Sequence, residues 1–452
     1  MAGFRRHLQE QPQVPAELAG VDLGTFHYGD WLRERGYDFR TDQAGTPLFS
    51  DYYSYQCAAI TTHFTELGDY AREYGRSVGR EVLVSGNFFN LDPHYLPLAA
   101  EVDLIITEMR NTTYRQPEWY RYVDAFRRYA GASDVIVVEN PYGGIVPDLV
   151  EALAVGRGYD RLRLSLYEAA AFGANMSVPY GSWMGATIQD SFWAPHALLT
   201  EIQDFVAETE SLRSAQSGHE VAVVYGVVSQ RALVTQADSG DNLVNARDET
   251  VKVPFRRATE GLSRASVPFD VVLATDGELA GDRFDAGLLA AYRTVVLPGC
   301  WWLTEHQVEA LVEYLDGGGR VLATGDLATN QSSPGRDRLR EHPNVTSCAL
   351  ADVPARLPDG PQVVTDGGIA VNLHQLDDGV AVHLVNYGYH DEHDTVAVME
   401  TLDLTVRLDS SVASATAVRP GRSVETLELV SDGDSHRVRL TGVGLYTVVV
   451  LR

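Results

Sequence analysis

Four short apolar runs, EVLVSG (81–86), DLIIT (103–107), DVIVV (134–138) and ANMSV (174–178), alternate with helical segments such as 118–129 and 162–172. A strand with one face in water alternates polar and apolar residues. Continuous apolar runs separated by helices therefore predict strands buried on both faces of a parallel sheet. The residues before the first of these runs contain no β-like run. Within them, 26–36 and 50–74 read as helix, the second carrying Tyr53, Cys57, Ile60, Phe64, Leu67 and Tyr70 at helical spacing.

SLRSAQSG (211–218) reads as a linker, and beyond it a second βα alternation begins. Its strands are EVAVVY (220–225), FDVVL (269–273), TVVL (294–297) and RVLA (320–323). A helix over 304–315 opens on a capping box, Thr304 with Gln307, and closes at Gly317, Gly318 and Gly319. A doubly wound sheet of flavodoxin or amidotransferase type is expected there. From about Asn344 the pattern changes to short alternating runs with Asp-Gly turns, ending in a strand over 445–451, which predicts an all-β sandwich.

A length of 452 residues agrees with three domains, and the composition shifts place them at 1–214, 215–340 and 341–452. No stretch approaches the ~20 apolar residues that span a bilayer, and Met1 to Pro15 lacks an apolar run followed by a small-residue cleavage site. A cytoplasmic protein is expected. The net charge is −26, with Lys252 the sole lysine, so the surface repels phosphate backbones and argues against a nucleic-acid partner, as the lack of a long apolar stretch argues against a membrane one. Cys57, Cys300 and Cys348 have neither disulfide-framework nor metal-site spacing. No cofactor and no metal are expected.

In a parallel αβ barrel, chemistry sits where strands end. Here the first three runs end in Asn87, Glu108 and Glu139, and the fourth leads to Tyr180, Gly181 and Trp183. Two carboxylates, an amide and aromatic faces are the equipment of a glycosidase: one carboxylate attacks or stabilises the anomeric carbon, another protonates the leaving oxygen, and rings stack on the sugar. Against this stands the reading in which each carboxylate caps a helix or pairs with an arginine such as Arg110.

WLRERGYDF (31–39), PLFSDYYSYQ (47–56), VLVSGNFFN (82–90), VIVVENPYGG (135–144), RLSLYEAAAFGAN (163–175) and HLVNYG (383–388), in this order, resemble the β-galactosidases of glycoside hydrolase family 42 and their relatives with a trimerisation domain. The resemblance covers almost the whole chain. It implies a (β/α)8 barrel, an amidotransferase-like trimerisation domain and a β domain, with homotrimers and a carbohydrate substrate. It makes Glu139 the nucleophile of a retaining hydrolysis of β-galactosides, with Asn87, Tyr142, Tyr180 and Trp183 contacting the sugar. Glu108 would contact substrate too, although as a carboxylate beside Glu139 it is also a catalytic candidate. The family's acid/base precedes the segment resembling FRRHLQEQ (4–11), so strands one to four of the barrel and that glutamate have no counterpart here. The expected protein is thus a partial barrel, a glycosidase or an inactive relative. A non-catalytic carbohydrate-binding or oligomer-forming protein is the alternative.

Other reactive side chains read as structural. Cys300 in LPGCWW lacks the Gly-x-Cys-x-Gly elbow of an amidotransferase nucleophile. The run His390, Asp391, Glu392, His393, Asp394 follows a strand and reads as a solvated loop rather than a calcium or zinc site.

Overall fold

The computed structural model describes residues 2–37, 46–88, 91–108, 115–131, 134–138, 149, 152–153, 155–176, 195–214, 216–232, 249–330 and 332–452, with the side chains of 134 and 136–138 left aside. Helices α1 (Ala2–Glu10), α2 (Tyr28–Glu34) and α3 (Phe49–Ser77) precede the first strand. Phe4, Leu8, Phe26, Tyr28 and Trp31 form their common core. The first sheet follows as β1 (Ser85–Asn87), α4 (Leu96–Ala99), β2 (Leu104–Glu108), α5 (Pro117–Ala130), β3 (Asp134–Val138), α6 (Tyr159–Ala171), β4 (Asn175–Met176) and α7 (His196–Glu208). Its strands are parallel and lie in chain order.

Two details depart from the sequence pattern. β1 begins at Ser85 rather than Glu81 because the Asp103 carboxylate accepts the Val84 N–H (2.7 Å) and pairs with Arg72 (3.1 Å), taking the place of ladder bonds. β1 is also an edge strand with Ser85 and Asn87 exposed, and β2 alternates between half-buried and buried positions, so neither is buried on both faces throughout. α3 lies against this edge through Gly75 and Gly68. A Cβ at Gly75 would stand 2.4 Å from a Val82 methyl, so only glycine permits this approach.

The second parallel sheet contains β5 (Val221–Gly226), β6 (Asp270–Ala274), β7 (Thr294–Pro298), β8 (Arg320–Thr324) and β9 (Val345–Ser347). The spatial order is β6-β5-β7-β8-β9. β5, β6 and β7 are buried at every position, as continuous apolar runs require. Helices α8 (Val227–Ala232), α9 (Lys252–Arg264), α10 (Ala286–Leu289), α11 (Glu305–Asp316) and α12 (Pro334–Glu341) connect them. The capping box at α11 forms as read: the Thr304 side chain accepts the Gln307 N–H and the Gln307 side chain accepts the Thr304 N–H.

Antiparallel pairing begins at Val363. The strands are β10 (Val363–Thr365), β11 (Ile369–Leu376), β12 (Gly379–Asn386), β13 (Tyr389–His390), β14 (Thr395–Val396), β15 (Met399–Arg407), β16 (Ala415–Val418), β17 (Glu425–Leu427), β18 (Leu429–Asp432), β19 (Ser435–Val443) and β20 (Tyr446–Leu451). They form sheets β10-β15-β19-β18 and β11-β12-β20-β16-β17, plus the hairpin β13-β14. Val371, Leu373, Val382 and Leu384 of one sheet share an apolar core with Leu402, Leu404, Val438 and Leu440 of the other.

The polar segment after α7 runs as a strap along β11 and β12. His383 donates from Nε2 to the Leu212 carbonyl (2.8 Å), and its Nδ1 accepts from the Tyr446 hydroxyl (2.6 Å). Gln375 N–H reaches the Gln216 carbonyl (3.0 Å), and Gln362 holds Gly218 and Glu220 through both ends of its amide. Burial, with His374 nearby, holds His383 well below the usual histidine range, so it is a neutral structural group.

Candidate active site

Parallel pairing of β1 with β2 brings two of the expected site residues together. Asn87 is opposite Ile106, and the Asn87 Nδ2 donates to Glu108 Oε1 at 3.1 Å. Glu108 in turn is in register with Val138, the last residue of β3. Glu139 follows Val138 in the sequence and, like Tyr142, Tyr180 and Trp183, lies outside the described residues. What the geometry supplies is an amide-held carboxylate at the ends of adjacent parallel strands. A carboxylate is an acceptor, the kind of group that a ligand hydroxyl would meet.

A cavity of about 200 Å³ lies elsewhere, where α5, the turn from α6 into β4, the strap and β11 meet, and neither Asn87 nor Glu108 lines it. This cavity and the strand-end pair Asn87 and Glu108 are therefore separate features.

The remaining candidates resolve into structural roles. Cys300 is fully buried at the turn after β7, and burial pushes its thiol up to about 12, which removes the thiolate a nucleophile needs. In the acidic and histidine run His390 to His393 are exposed and Asp394 is half-buried, with His390 in β13 rather than in a loop, and the run clasps the first module. Asp391 pairs with Arg161, and the Asp394 Oδ2 accepts the Gly158 and Tyr159 N–H groups at 2.7 and 3.1 Å, capping the N-terminus of α6. Asp394 holds φ +49° to do so. Among the described residues no group of three or more His, Cys, Asp or Glu side chains could hold a metal ion.

Asp394→Ala is expected to lower unfolding free energy by ~1–2 kcal/mol, the worth of a helix cap with its charge–dipole contribution. Asp394→Asn should lose less, because asparagine keeps the acceptor and tolerates a left-handed backbone. Chemical denaturation midpoints that leave Ala and Asn indistinguishable from wild type would remove the cap from the account.

Two buried groups have no counterpart in the sequence reading. Glu168 of α6 is fully buried; its Oε1 accepts the Gln116 N–H (2.9 Å) and the Tyr387 hydroxyl, while Oε2 has no hydrogen-bond partner among the described residues. Burial pushes this carboxyl up to about 8, with the Tyr387 and Gln116 bonds pulling the other way. Asp270 is also buried, which alone would raise it, yet Arg128, His219 and Ser217 hold it well below the usual carboxylate range. His219 accepts the Leu373 N–H at Nε2 (3.2 Å), so its proton sits on Nδ1 and is donated to Asp270 (2.9 Å). Ser217 donates to the carboxylate rather than to the imidazole, so this is no nucleophile relay.

Compared with solved structures, the chain matches a β-galactosidase from Bacillus circulans sp. alkalophilus over 99% of its own length and 76% of that chain, at TM-score 0.62 and 13% identity. The fold is similar to that of family 42 β-galactosidases. A catalytic mutant of a family 42 β-galactosidase from G. stearothermophilus matches over 100% of this chain and 76% of its own, at TM-score 0.57 and 12% identity. An α-L-fucosidase from Paenibacillus thiaminolyticus matches over 94% and 74%, at TM-score 0.57 and 12% identity. No protein-family model and no curated protein matches the sequence. Family 42 likeness at such identities describes the fold, a parallel α/β region followed by antiparallel sheets, and leaves chemistry to the residues. No helix among the described residues is long and apolar enough to cross a membrane.

Proposed function

We propose that this chain is a glycoside hydrolase of the family 42 type, acting on β-galactosides or related glycosides by a retaining double displacement with Glu139 as nucleophile. The supporting observation is the pairing of Asn87 with Glu108 at the ends of adjacent strands, in register with the residue before Glu139, within a fold shared with β-galactosidases. Glu139 would attack the anomeric carbon and form a glycosyl-enzyme that water then hydrolyses, while Glu108, Asn87, Tyr142, Tyr180 and Trp183 bind the sugar. The order β6-β5-β7-β8-β9 supports a flavodoxin- or amidotransferase-like second domain. The paired antiparallel sheets support a terminal sandwich, and homotrimers are part of the same reading.

No residue of this chain matches the family's acid/base, so turnover of ordinary glycosides by the chain alone is expected to be slow. A 2,4-dinitrophenyl galactoside avoids that requirement, because its leaving group departs without protonation. Wild type is expected to release a burst of dinitrophenolate, about one per active chain, as the glycosyl-enzyme accumulates. Glu139→Gln should abolish it. Equal bursts from the two proteins would end the assignment.

A non-catalytic saccharide-binding or oligomer-forming protein is the second reading. It is favoured by the cavity of about 200 Å³, which neither Asn87 nor Glu108 lines. It predicts no burst in either protein and saccharide binding, by calorimetry, that Glu139→Ala leaves unchanged.

A further inference from the structure

We infer that the cavity where α5, the strap and β11 meet binds a small oxyanion, the carboxylate of an acidic monosaccharide or an inorganic sulfate or phosphate. This proposal does not rest on the glycosidase reading. With a net charge of −26 the chain as a whole repels anions, so an anion site here needs a local excess of cations. The cavity has one. Its lining includes Arg121, Arg127 and Arg213 against Asp124, Glu210 and Asp270, which alone would balance. Behind the wall, however, Arg128 pairs with both Asp124 (2.9 Å) and Asp270 (3.5 Å), and Asp124 also holds Arg127 (2.6 Å). Those two carboxylates are thereby consumed by their neighbours.

Arg121 and Arg213 are left with no carboxylate within 4 Å among the described residues. Arg121 is directed to the Phe269 and Val371 carbonyls and the Asn372 amide oxygen; its Nε has no hydrogen-bond partner among the described residues, and the carboxylates that act on its charge, Asp270 first, stand beyond ion-pair distance. Arg213 donates one hydrogen to the Val206 carbonyl (2.6 Å) and is half-buried. Its planar fork is the group best suited to a bidentate oxyanion. Ser214 and Asn175 line the same space with further hydrogen-bonding groups. A volume of about 200 Å³ accommodates a single sugar-sized or smaller ion. Glu210 is exposed at the mouth, where its charge opposes entry.

Calorimetric titration of the full chain with sodium sulfate, phosphate, galacturonate and neutral galactose tests this. Saturable binding of at least one anion is expected, with none for galactose; galacturonate alone would identify the sugar acid as the source, and sulfate or phosphate alone the inorganic ion. Arg213→Gln should weaken binding ~10-fold or more, the scale of one charge-assisted contact. Glu210→Gln, an exposed change that leaves the packing intact, should tighten it ~2- to 5-fold by removing a nearby like charge. No saturable binding by any of the three anions overturns the proposal. So does galactose binding as tightly as galacturonate. If Arg213→Gln fails to fold, Glu210→Gln still decides, because unchanged or weaker affinity in that variant contradicts an anion in this cavity.

Discussion

Arg121→Ala is expected to cost about 3–5 kcal/mol of unfolding free energy, the range for truncating a large buried side chain together with its hydrogen bonds. Arg121 is 4% exposed and braces three parts of the fold. From α5 it donates to the Phe269 carbonyl just before β6 (2.7 Å), and in β11 to the Val371 carbonyl (2.6 Å) and the Asn372 side chain (3.0 Å). The guanidinium also lies over the rings of Phe172 and Phe269, 4.9 and 4.6 Å from their centres. Alanine removes the donors, the stacking and the aliphatic stem together, leaving acceptors short of a donor on the buried wall of the cavity. Burial lowers Arg121 to about 10, still far enough above neutrality to keep it charged. Arg121→Met separates the contributions, since methionine restores much of the packing and removes the cost of a buried charge. It should recover at least half of the loss. Urea midpoints with Ala equal to wild type would mean that the brace carries no stability; Met equal to Ala would mean that hydrogen bonding, not packing, carries all of it.

How much of this was legible in the sequence depends on the range of the interaction. The α11 capping box needed only Thr304 and Gln307, three residues apart, and the strands of the second sheet were visible as uninterrupted apolar runs. Strand ends likewise nominated Asn87 and Glu108, but their contact follows from a register that pairs residues about twenty positions apart, which no periodicity encodes. Val345–Ser347 illustrates the limit: three residues have no period, and its place beside β8 in the parallel sheet is set by pairing, whereas the sequence pattern from Asn344 suggested the start of the alternating region. The same holds for Asp394, whose capped helix lies more than 230 residues upstream, and for Arg121 and Glu168, charged residues on helix faces that become interior only when other modules cover them. The strap is polar for a related reason. Its groups meet histidine, glutamine and backbone partners of the β sheets rather than solvent alone.

Stability should fall as pH rises from about 4.5 to about 8, because Glu168 folds as a neutral acid. Its ordinary value is 4.5 and its folded value about 8, so within that window the unfolded chain has released this proton while the folded chain still holds it. Unfolding free energy then decreases by about 1.4 kcal/mol per pH unit for one such group. The contribution is complete below 4.5, is lost on the way to 8 and changes no further above it, a total on the order of a few kcal/mol. The physical cause is the 0% exposure of the carboxyl. Two hydrogen bonds to Oε1 favour the charged form, but no described residue donates to Oε2, so ionisation would place a poorly solvated charge between α6 and Tyr387. Glu168→Gln supplies the control, since its amide oxygen can accept the same Gln116 and Tyr387 hydrogens and nothing there titrates. Carboxylates held low, Asp270 above all, impose the opposite slope at acidic pH, so the informative quantity is the difference between variant and wild type at each pH. That difference should rise steadily across the window and level off beyond it, leaving Glu168→Gln the more stable protein in mild alkali. Parallel curves for the two proteins would mean that Glu168 ionises at its ordinary value and that the seam between α6 and the C-terminal sheets admits water.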